Sequence, residues 1–255
     1  MNLLVDIGNT RLKWAILQNG ELVTGRALVN RQITRHELIE AWKMQMPPER
    51  LAIACVSSTP LLELVLSVAI ELWPMIEIIR AKSQAYAFDV HNAYQQPEKL
   101  GVDRWLALVA TRKHYQLPAC IVDCGTAITV DLIDADGKHQ GGLISPGLTL
   151  MKKSLAEGTE ALQYYETNYA FGPANFTEAA IYSGTLSAAA GLIEHVLTTQ
   201  SSVMQLILTG GDAEIIAKQL GIKPVIDTDL VLRGLAIVLE GKHFFQGHLS
   251  HAEFL

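Results

Sequence analysis

The chain lacks the features of secreted, membrane-spanning and zinc-binding proteins. It has only 3 cysteines, an odd number without the spacing of a zinc site. Its most apolar stretch, residues 61–79, is interrupted by Glu63, Glu71 and Pro74, so no membrane span is predicted. No basic segment opens the chain, as a signal peptide would require. We therefore expect a cytoplasmic protein without a membrane partner.

Positive charge is also scarce. The 20 Lys and Arg residues are outnumbered by 26 Asp and Glu, which gives a net charge of −6, and no basic cluster is present. Because nucleic-acid-binding domains need a basic patch, no nucleic-acid partner is expected. A hydrophobic share of 49% predicts a globular protein with a sizeable core, as one large domain or two of ordinary size.

The cysteines and the C-terminal histidines are not predicted to bind metal. Cys55 and Cys120 lie in apolar, strand-like runs and are predicted to be small core residues. Cys124 adjoins a loop, so we expect it to be the exposed one. The histidines at 243, 248 and 251 crowd the C-terminus, where a solvated tail is favoured over a metal site.

One sequence pattern occurs twice. Residues 6–10 read Asp-Ile-Gly-Asn-Thr and residues 123–127 read Asp-Cys-Gly-Thr-Ala, each after an apolar run. The segments align without a gap, and the apolar runs that follow them end at Asn19-Gly20 and Asp136-Gly137. These dipeptides predict hairpins in which both turn residues reach positive φ. We therefore predict the same hairpin at two places in the chain.

The tips of these hairpins carry residue types that suit phosphate. Glycine allows the backbone to approach a ligand closely, and its neighbouring amides can point outward. Thr10 and Thr126 add hydroxyl donors, while Arg11 and Lys13 add positive charge.

Asp6 and Asp123 would repel phosphate directly, but carboxylate oxygens bind the hard cations that accompany it. A single Asp-x-Gly more often only ends a strand. Two matched copies favour a nucleotide site.

Strands and helices alternate along the chain, which predicts an α/β protein with mixed sheets. Each half begins with a three-strand meander and continues through helical crossovers. Two similar domains, residues 1–115 and 116–255, are therefore predicted, with a ligand cleft between them. Strands are predicted at 2–6, 12–18, 21–29, 51–56, 75–80, 119–123, 128–134, 138–144, 205–209 and 223–226, and helices at 34–44, 60–72, 97–114, 178–197, 212–220 and 229–241. The segment 81–96 is predicted to be irregular.

Three segments resemble the motifs of the type III pantothenate kinases in order, content and spacing. They are Asp6-x-Gly8-Asn9-Thr10-x-x-Lys13, Pro97-x-x-Leu100-Gly101-x-Asp103-Arg104 and Asp123-x-Gly125-Thr126-Ala127-x-Thr129-x-Asp131. The resemblance extends from residue 1 to about residue 240. It implies two domains of ribonuclease H-like (actin-like ATPase) topology, with ATP in the cleft between them. It also implies transfer of the ATP γ-phosphate to the primary hydroxyl of pantothenate, the first step of coenzyme A biosynthesis.

The resemblance further implies a homodimer that needs ATP with Mg²⁺ and a monovalent cation, K⁺ or NH₄⁺. In this assignment Asp6 holds Mg²⁺ mostly through water, and Asp123 binds the monovalent cation. The ATP-binding residues would be Asp6, Ile7, Gly8, Asn9, Thr10, Arg11, Leu12, Lys13 and Thr126.

Asp103 matches the family position that we interpret as the catalytic base; its alternative role is to cap a helix or to pair with Arg104. The substrate-binding residues would be Tyr94, Gly101, Val102, Asp103, Arg104 and Thr177. Tyr94 could instead serve only packing. Thr177 would reach the substrate of the other subunit. Its alternative role is that of a helix N-cap, and one residue can fill both roles.

Small residues are frequent in the predicted helix 178–197. They predict either a dimer contact or a close helix pair within one chain, and the sequence does not separate the two.

Two other functions compete with this one. A kinase for another small hydroxylated acid or sugar would share Asp6, Asp103 and Asp123 but differ between Tyr94 and Arg104. A regulator without turnover is the second alternative, because proteins similar to this family were once described as accessory factors for transcription. The intact acidic positions and the negative net charge argue against it.

Overall fold

The computed structural model describes residues 1–43, 46–160, 162–163 and 166–241, which form two compact units. Unit 1 consists of Met1–His114 and the described residues from Asp229 onward, and unit 2 of Tyr115–Thr228. The first boundary lies one residue from the predicted one. The segment after Asp229 belongs to unit 1, however, and not to the C-terminal half in which the sequence pattern put it.

Unit 1 is built on a mixed sheet with the strand order β3-β2-β1-β5-β6, and β4 pairs with β2. Strand β1 is antiparallel to β2 and parallel to β5. In place of the single strand predicted at 21–29, the structure has two short strands, β3 and β4, and each pairs with β2. The elements are β1 Asn2–Ile7, β2 Arg11–Gln18, β3 Glu21–Thr24, β4 Leu28–Val29, α1 Arg35–Trp42, β5 Arg50–Cys55, α2 Thr59–Leu72, β6 Glu77–Arg80, β7 Tyr86–Ala87, β8 Val90–His91 and α3 Val102–His114.

Unit 2 repeats this topology with the strand order β11-β10-β9-β12-β13. Its first three strands form an antiparallel meander, and β12 and β13 then add in parallel. The repeat confirms the predicted α/β class and the duplicated sheet. The elements are β9 Ala119–Cys124, β10 Ala127–Ile133, β11 His139–Pro146, α4 Leu148–Gly158, α5 Thr177–Thr198, β12 Gln205–Thr209, α6 Ala213–Ala217 and β13 Val225–Ile226.

The last described helix, α7 (Leu230–Glu240), returns to unit 1. It packs beside α3, and Gly234 makes this possible, because a side chain at 234 would run into the carbonyl of Leu106. Arg50 of β5 donates from Nη1 to the carbonyl of Leu239, 3.1 Å away, and so ties the sheet to the end of α7.

Both faces of the unit 1 sheet are covered, as the alternation of side chains along a strand requires. Leu3, Val5 and Ile7 of β1 pack in the cluster that includes α1 and α2. Leu4 of β1 and Ala15 of β2 pack in a second cluster with α3 and α7. The result is a three-layer unit.

In unit 2, the side chains of Cys120, Val122 and Cys124 lie in a cluster with α5 and α6. The opposite face of β9 therefore carries Asp123. None of the described helices is long and apolar enough to cross a bilayer.

The two predicted turns differ. Asn19 and Gly20 have φ values of 53° and 80°, which confirms the first prediction. In the second turn only Gly137, at 83°, has positive φ. There Oδ1 of Asp134 accepts the amides of Asp136 and Lys138, so a side chain shapes a wider turn. The prediction of two positive φ angles was wrong for this hairpin.

A small hairpin, β7–β8, occupies part of the segment that was predicted to be irregular. Its turn residues, Phe88 and Asp89, both have positive φ, at 54° and 57°. Tyr86 and His91 contact each other across it, with ring centroids 4.3 Å apart.

Candidate active site

The two hairpin tips are similar but not identical in length. In unit 1 the last paired residues are Ile7 and Leu12, so four residues form the tip. In unit 2 they are Cys124 and Ile128, so three residues form it. The gapless alignment predicted from the sequence therefore does not hold at the tips, because the second loop is one residue shorter.

At the first tip, some of the predicted ATP-binding residues have buried side chains and others have exposed ones. Asp6 and Lys13 are paired across β1 and β2, and they share the sheet face of Leu4 and Ala15, where α3 packs. Asp6 is only 8% exposed. Ile7 and Leu12 point to the opposite face and are fully buried. These two predicted ATP-binding residues thus offer a ligand their backbone and not their side chains.

The tip is folded tightly onto Asn30, which the sequence analysis missed. The amide of Gly8 donates to the carbonyl of Arg11 at 3.1 Å. Nδ2 of Asn30 donates to the carbonyl of Gly8 at 2.7 Å, and its backbone amide donates to the carbonyl of Thr10 at 2.9 Å. Asn9, Thr10 and Arg11 are exposed. An asparagine directly after the short strand β4 was the only sequence signal for this contact.

Two glycines press against the second tip. Gly147 donates to the carbonyl of Thr126 at 3.0 Å, and a side chain at 147 would collide with the carbonyls of Gly125 and Thr126. Gly210, with φ of 90°, adjoins Asp123, so a side chain there would collide with Oδ1 of that carboxylate. Thr126 is exposed and Asp123 is half-buried. Glycine at 210 thus leaves room for this carboxylate.

The expectation that Cys124 is exposed was wrong. Its side chain is fully buried, because the strand alternation that exposes Asp123 turns Cys124 into the core. Burial raises the pKa of the Cys124 thiol, and the nearby Asp123 raises it further. Cys55 is instead the partly exposed cysteine.

The predicted helix 97–114 is interrupted in the segment that carries the second motif, Pro97 to Arg104. Pro97–Lys99 form one 3₁₀ turn, and α3 begins only at Val102. A Cβ at residue 101 would lie 2.6 Å from Oδ1 of Asp103, so a larger residue there would displace the carboxylate. Val102 packs into the cluster formed with α7, so its side chain is a core contact.

Asp103 lies in the first turn of α3, where the helix end favours a negative charge. Its Oδ1 accepts the backbone amide of Arg104 at 2.8 Å. This contact satisfies one helix-terminal amide from within the helix, because Asp103 is the second residue of α3 and not its N-cap.

Arg104 and Tyr94 form a joined pair. Nη1 of Arg104 donates to the hydroxyl of Tyr94 at 2.8 Å, and the guanidinium carbon lies 5.6 Å from the centre of the tyrosine ring. Arg104 is 6% exposed. A buried guanidinium held in this way suits a carboxylate or phosphate ligand.

Thr177 is the first residue of α5 and is exposed. The N-cap position is occupied by Phe176, so the suggestion that Thr177 is the N-cap was wrong. Its hydroxyl is available at the surface of unit 2.

Among the described residues, no group of three or more His, Cys, Asp or Glu side chains could hold a metal ion. Asp6, the residue predicted to hold Mg²⁺, is one carboxylate, and this fits Mg²⁺ held by one or two carboxylates together with substrate phosphates. The histidines at 243, 248 and 251 lie outside the described residues.

Comparison with known sequences gives one consistent family. The family model "Type III pantothenate kinase" matches residues 2–199. A type III pantothenate kinase from Nitrosococcus oceani is 40% identical over 256 residues and covers 93% of both chains. Another, from Laribacter hongkongensis, is 37% identical over 243 residues, with 92% of this chain and 97% of the relative covered.

Comparison with solved structures agrees on the fold. A Campylobacter jejuni protein described as a Baf family transcriptional activator matches with a TM-score of 0.61 at 21% identity, over 94% of this chain and 98% of that one. A Sinorhizobium meliloti protein described as a 2-dehydro-3-deoxygalactonokinase matches with a TM-score of 0.57 at 14% identity, over 96% and 100%. These identities show a shared fold only. The family match and the close sequence relatives together establish that this chain belongs to the type III pantothenate kinases.

Proposed function

We propose that this chain transfers the γ-phosphate of ATP to the primary hydroxyl of pantothenate, giving 4′-phosphopantothenate, and that Asp103 is its catalytic base. Type III pantothenate kinases carry out this reaction, which is the first step of coenzyme A biosynthesis. The observation that carries the proposal is the arrangement at the start of α3. There Asp103 and the Tyr94–Arg104 pair adjoin one another on the sheet face that also carries Asp6.

Asp103 would accept the proton of the attacking hydroxyl. An aspartate is a weak base, with an ordinary pKa of about 3.9. Phosphoryl transfer tolerates this weakness, because its loose transition state depends mainly on positioning and charge stabilisation. The bond from the Arg104 amide holds one carboxylate oxygen, and Gly101 leaves room for it. The carboxylate of Asp103 would then take the proton.

Arg104 would bind the carboxylate of pantothenate. Its planar fork of donors matches a carboxylate, and the Tyr94 hydroxyl fixes its orientation. Because Arg104 is buried, the charge pairing with substrate takes place away from bulk water, where it is stronger. Gly101 and the backbone of Val102 would complete this side of the pocket.

Each tip carries residues that would bind the nucleotide. Exposed Asn9, Thr10 and Arg11 provide amide, hydroxyl and guanidinium donors for phosphate, and Thr126 provides a hydroxyl. Asp6 would hold Mg²⁺ mostly through water, and Asp123 would hold K⁺ or NH₄⁺. These cations, when bound, neutralise phosphate charge next to the two carboxylates.

A homodimer would complete the substrate site with Thr177 of the second subunit. Support comes from α5, on which Ala180, Gly184, Ala188 and Gly191 are exposed at helical spacing. These small residues leave one side of the helix uncovered within the described chain and allow close approach of a second helix. A cytoplasmic location is also proposed, because all three cysteines are free thiols.

The decisive experiment is ADP release from ATP with pantothenate as acceptor, measured in the presence of K⁺ and Mg²⁺. Pantothenate-dependent ADP release and a phosphorylated product of the expected mass support the proposal. Turnover only with another hydroxylated acid or a sugar would select a different substrate on the same site. No turnover with any acceptor would leave the regulatory alternative.

A further inference from the structure

Two asparagines outside the predicted catalytic and ligand-binding set hold the two ligand-bearing loops of unit 1. Asn30 contacts the β1–β2 tip, and Asn92 contacts the segment that carries Tyr94. Each asparagine uses its side-chain amide on backbone groups, so each acts on loop shape and not on a ligand. We propose that Asn30 and Asn92 are positioning residues, the first for ATP and the second for pantothenate. This inference rests on the proposed roles of the two loops.

Asn30 acts on the orientation of the tip peptides. Its Nδ2 donates to the carbonyl of Gly8 at 2.7 Å, and its amide donates to the carbonyl of Thr10 at 2.9 Å. In a trans peptide the carbonyl and the following N–H point in opposite directions. Binding the Gly8 carbonyl therefore turns the N–H of Asn9 away from Asn30, toward the exposed side of the tip. That is the direction from which a phosphate can approach.

Asn92 binds three separate points of its own segment. Its Nδ2 donates to the carbonyls of Gln84 and Pro97, both at 3.1 Å. Its Oδ1 accepts the amide of Tyr94 at 3.0 Å. The Pro97 contact links the loop to the turn that leads into α3. Asn92 thus fixes Tyr94 relative to the helix that carries Arg104, which Tyr94 in turn contacts.

Substitution of each asparagine is expected to weaken the use of a different substrate. Asn30→Ala removes one hydrogen bond from the tip and leaves the Tyr94 segment intact. Asn92→Ala removes three from the Tyr94 segment and leaves the tip intact. A merely structural role would lower thermal stability or the amount of active enzyme, but it would not separate the Michaelis constants of ATP and pantothenate. The separation is therefore the informative readout.

The experiment measures kcat and both KM values for the full chain and for Asn30→Ala, Asn92→Ala and the control Asn19→Gly. Asn19 lies in the turn between β2 and β3, at the other end of β2 from the tip, and has positive φ, which glycine accepts. We expect Asn30→Ala to raise the KM of ATP by about tenfold and to change the KM of pantothenate little. A tenfold rise corresponds to the free energy of one lost hydrogen bond. Asn92→Ala should give the reverse, and the control should match the unmodified chain.

Equal rises in both KM values, or no rise in either, would overturn the proposal. If an alanine variant does not fold, Asn30→Asp and Asn92→Asp keep the side-chain size and remove the same donors. ATP binding is also measured directly by calorimetry, without pantothenate. Weaker ATP binding in Asn30→Ala supports its role even if the unmodified chain does not phosphorylate pantothenate, whereas unchanged binding refutes it. Failure of the proposed function and failure of this inference are thus distinguishable.

Discussion

The carboxylate of Asp103 lies where a side chain on Gly101 would have to go: a Cβ on residue 101 would be 2.6 Å from Oδ1 of the aspartate. The nearest atom is the end of a side chain and not backbone, so the carboxylate can rotate away at small cost. The glycine therefore protects the position of the proposed base more than it protects the fold.

Gly101→Ala should lower kcat by about tenfold or more, since small misplacement of a reacting group is costly, while the melting temperature changes little. Steady-state kinetics and thermal unfolding check both expectations. Gly158→Ala is the control, because a Cβ there meets nothing within 4 Å. A Gly101→Ala enzyme with normal kcat would show that the Oδ1 position is unimportant.

Asp103→Asn should keep the fold and reduce kcat by about a hundredfold or more, the usual contribution of a positioned base. The amide oxygen can still accept the Arg104 amide, so the first turn of α3 is preserved. Asp136→Asn, in the exposed turn between β10 and β11, serves as the charge-matched control. If Asp103→Asn keeps most of its rate, another group takes the proton.

Tyr94→Phe should raise the KM of pantothenate with little change in kcat. The change removes the hydroxyl that Arg104 contacts at 2.8 Å and keeps the ring. A hydrogen bond to a charged group contributes about 1.5–3 kcal/mol, so a rise of about tenfold to a hundredfold is expected. Tyr86→Phe is the matched control, because its hydroxyl contacts only Asp89 among the contacts described, at 3.3 Å. Similar kinetics for the two variants would contradict a substrate role for Tyr94.

Replacing K⁺ with Na⁺ should weaken the use of ATP, measured as kcat/KM for the nucleotide. Asp123→Asn should remove most of the difference between the two ions, because the proposed ligand loses its charge. Asp134→Asn, on an exposed turn of the same unit, should keep the ion dependence. An unmodified enzyme that responds equally to both ions would discredit Asp123 as a cation ligand.

Thiol labelling should distinguish the three cysteines. Burial raises the pKa of Cys55, that of Cys120 to about 12, and that of Cys124 as well. In the folded protein iodoacetamide should therefore modify Cys55 alone, and faster as the pH rises, because more thiolate forms. Mass spectrometry of digested protein checks this. Rapid native labelling of Cys124 would contradict its burial.

Local sequence patterns predicted the sheets because their signals are short in range. Apolar runs that end in Asp-x-Gly and Asn-Gly define β1, β2, β9 and β10 without any knowledge of the rest of the chain. The repeat of these patterns also predicted the duplicated topology. The pairing pattern at the tips was less predictable, since a loop shorter by one residue changes the register without changing the apolar pattern.

Features that depend on distant contacts could not be predicted in this way. The β7–β8 turn uses Phe88 and Asp89 at positive φ, where asparagine and glycine are usual. Phe88 is held there by packing, since a side chain on Gly241 would lie 2.6 Å from its ring. Asn30 and α7 are similar cases, because their partners lie far away in sequence.

The return of α7 to unit 1 has a consequence for biosynthesis. The chain emerges from the ribosome starting at its N-terminus, so β1, β5 and α3 are made long before the helix that covers Leu4 and Leu106. Until Leu230–Glu240 have been translated, this apolar layer is open to water and to chaperones. The first unit to be synthesised is thus the last whose core can be completed.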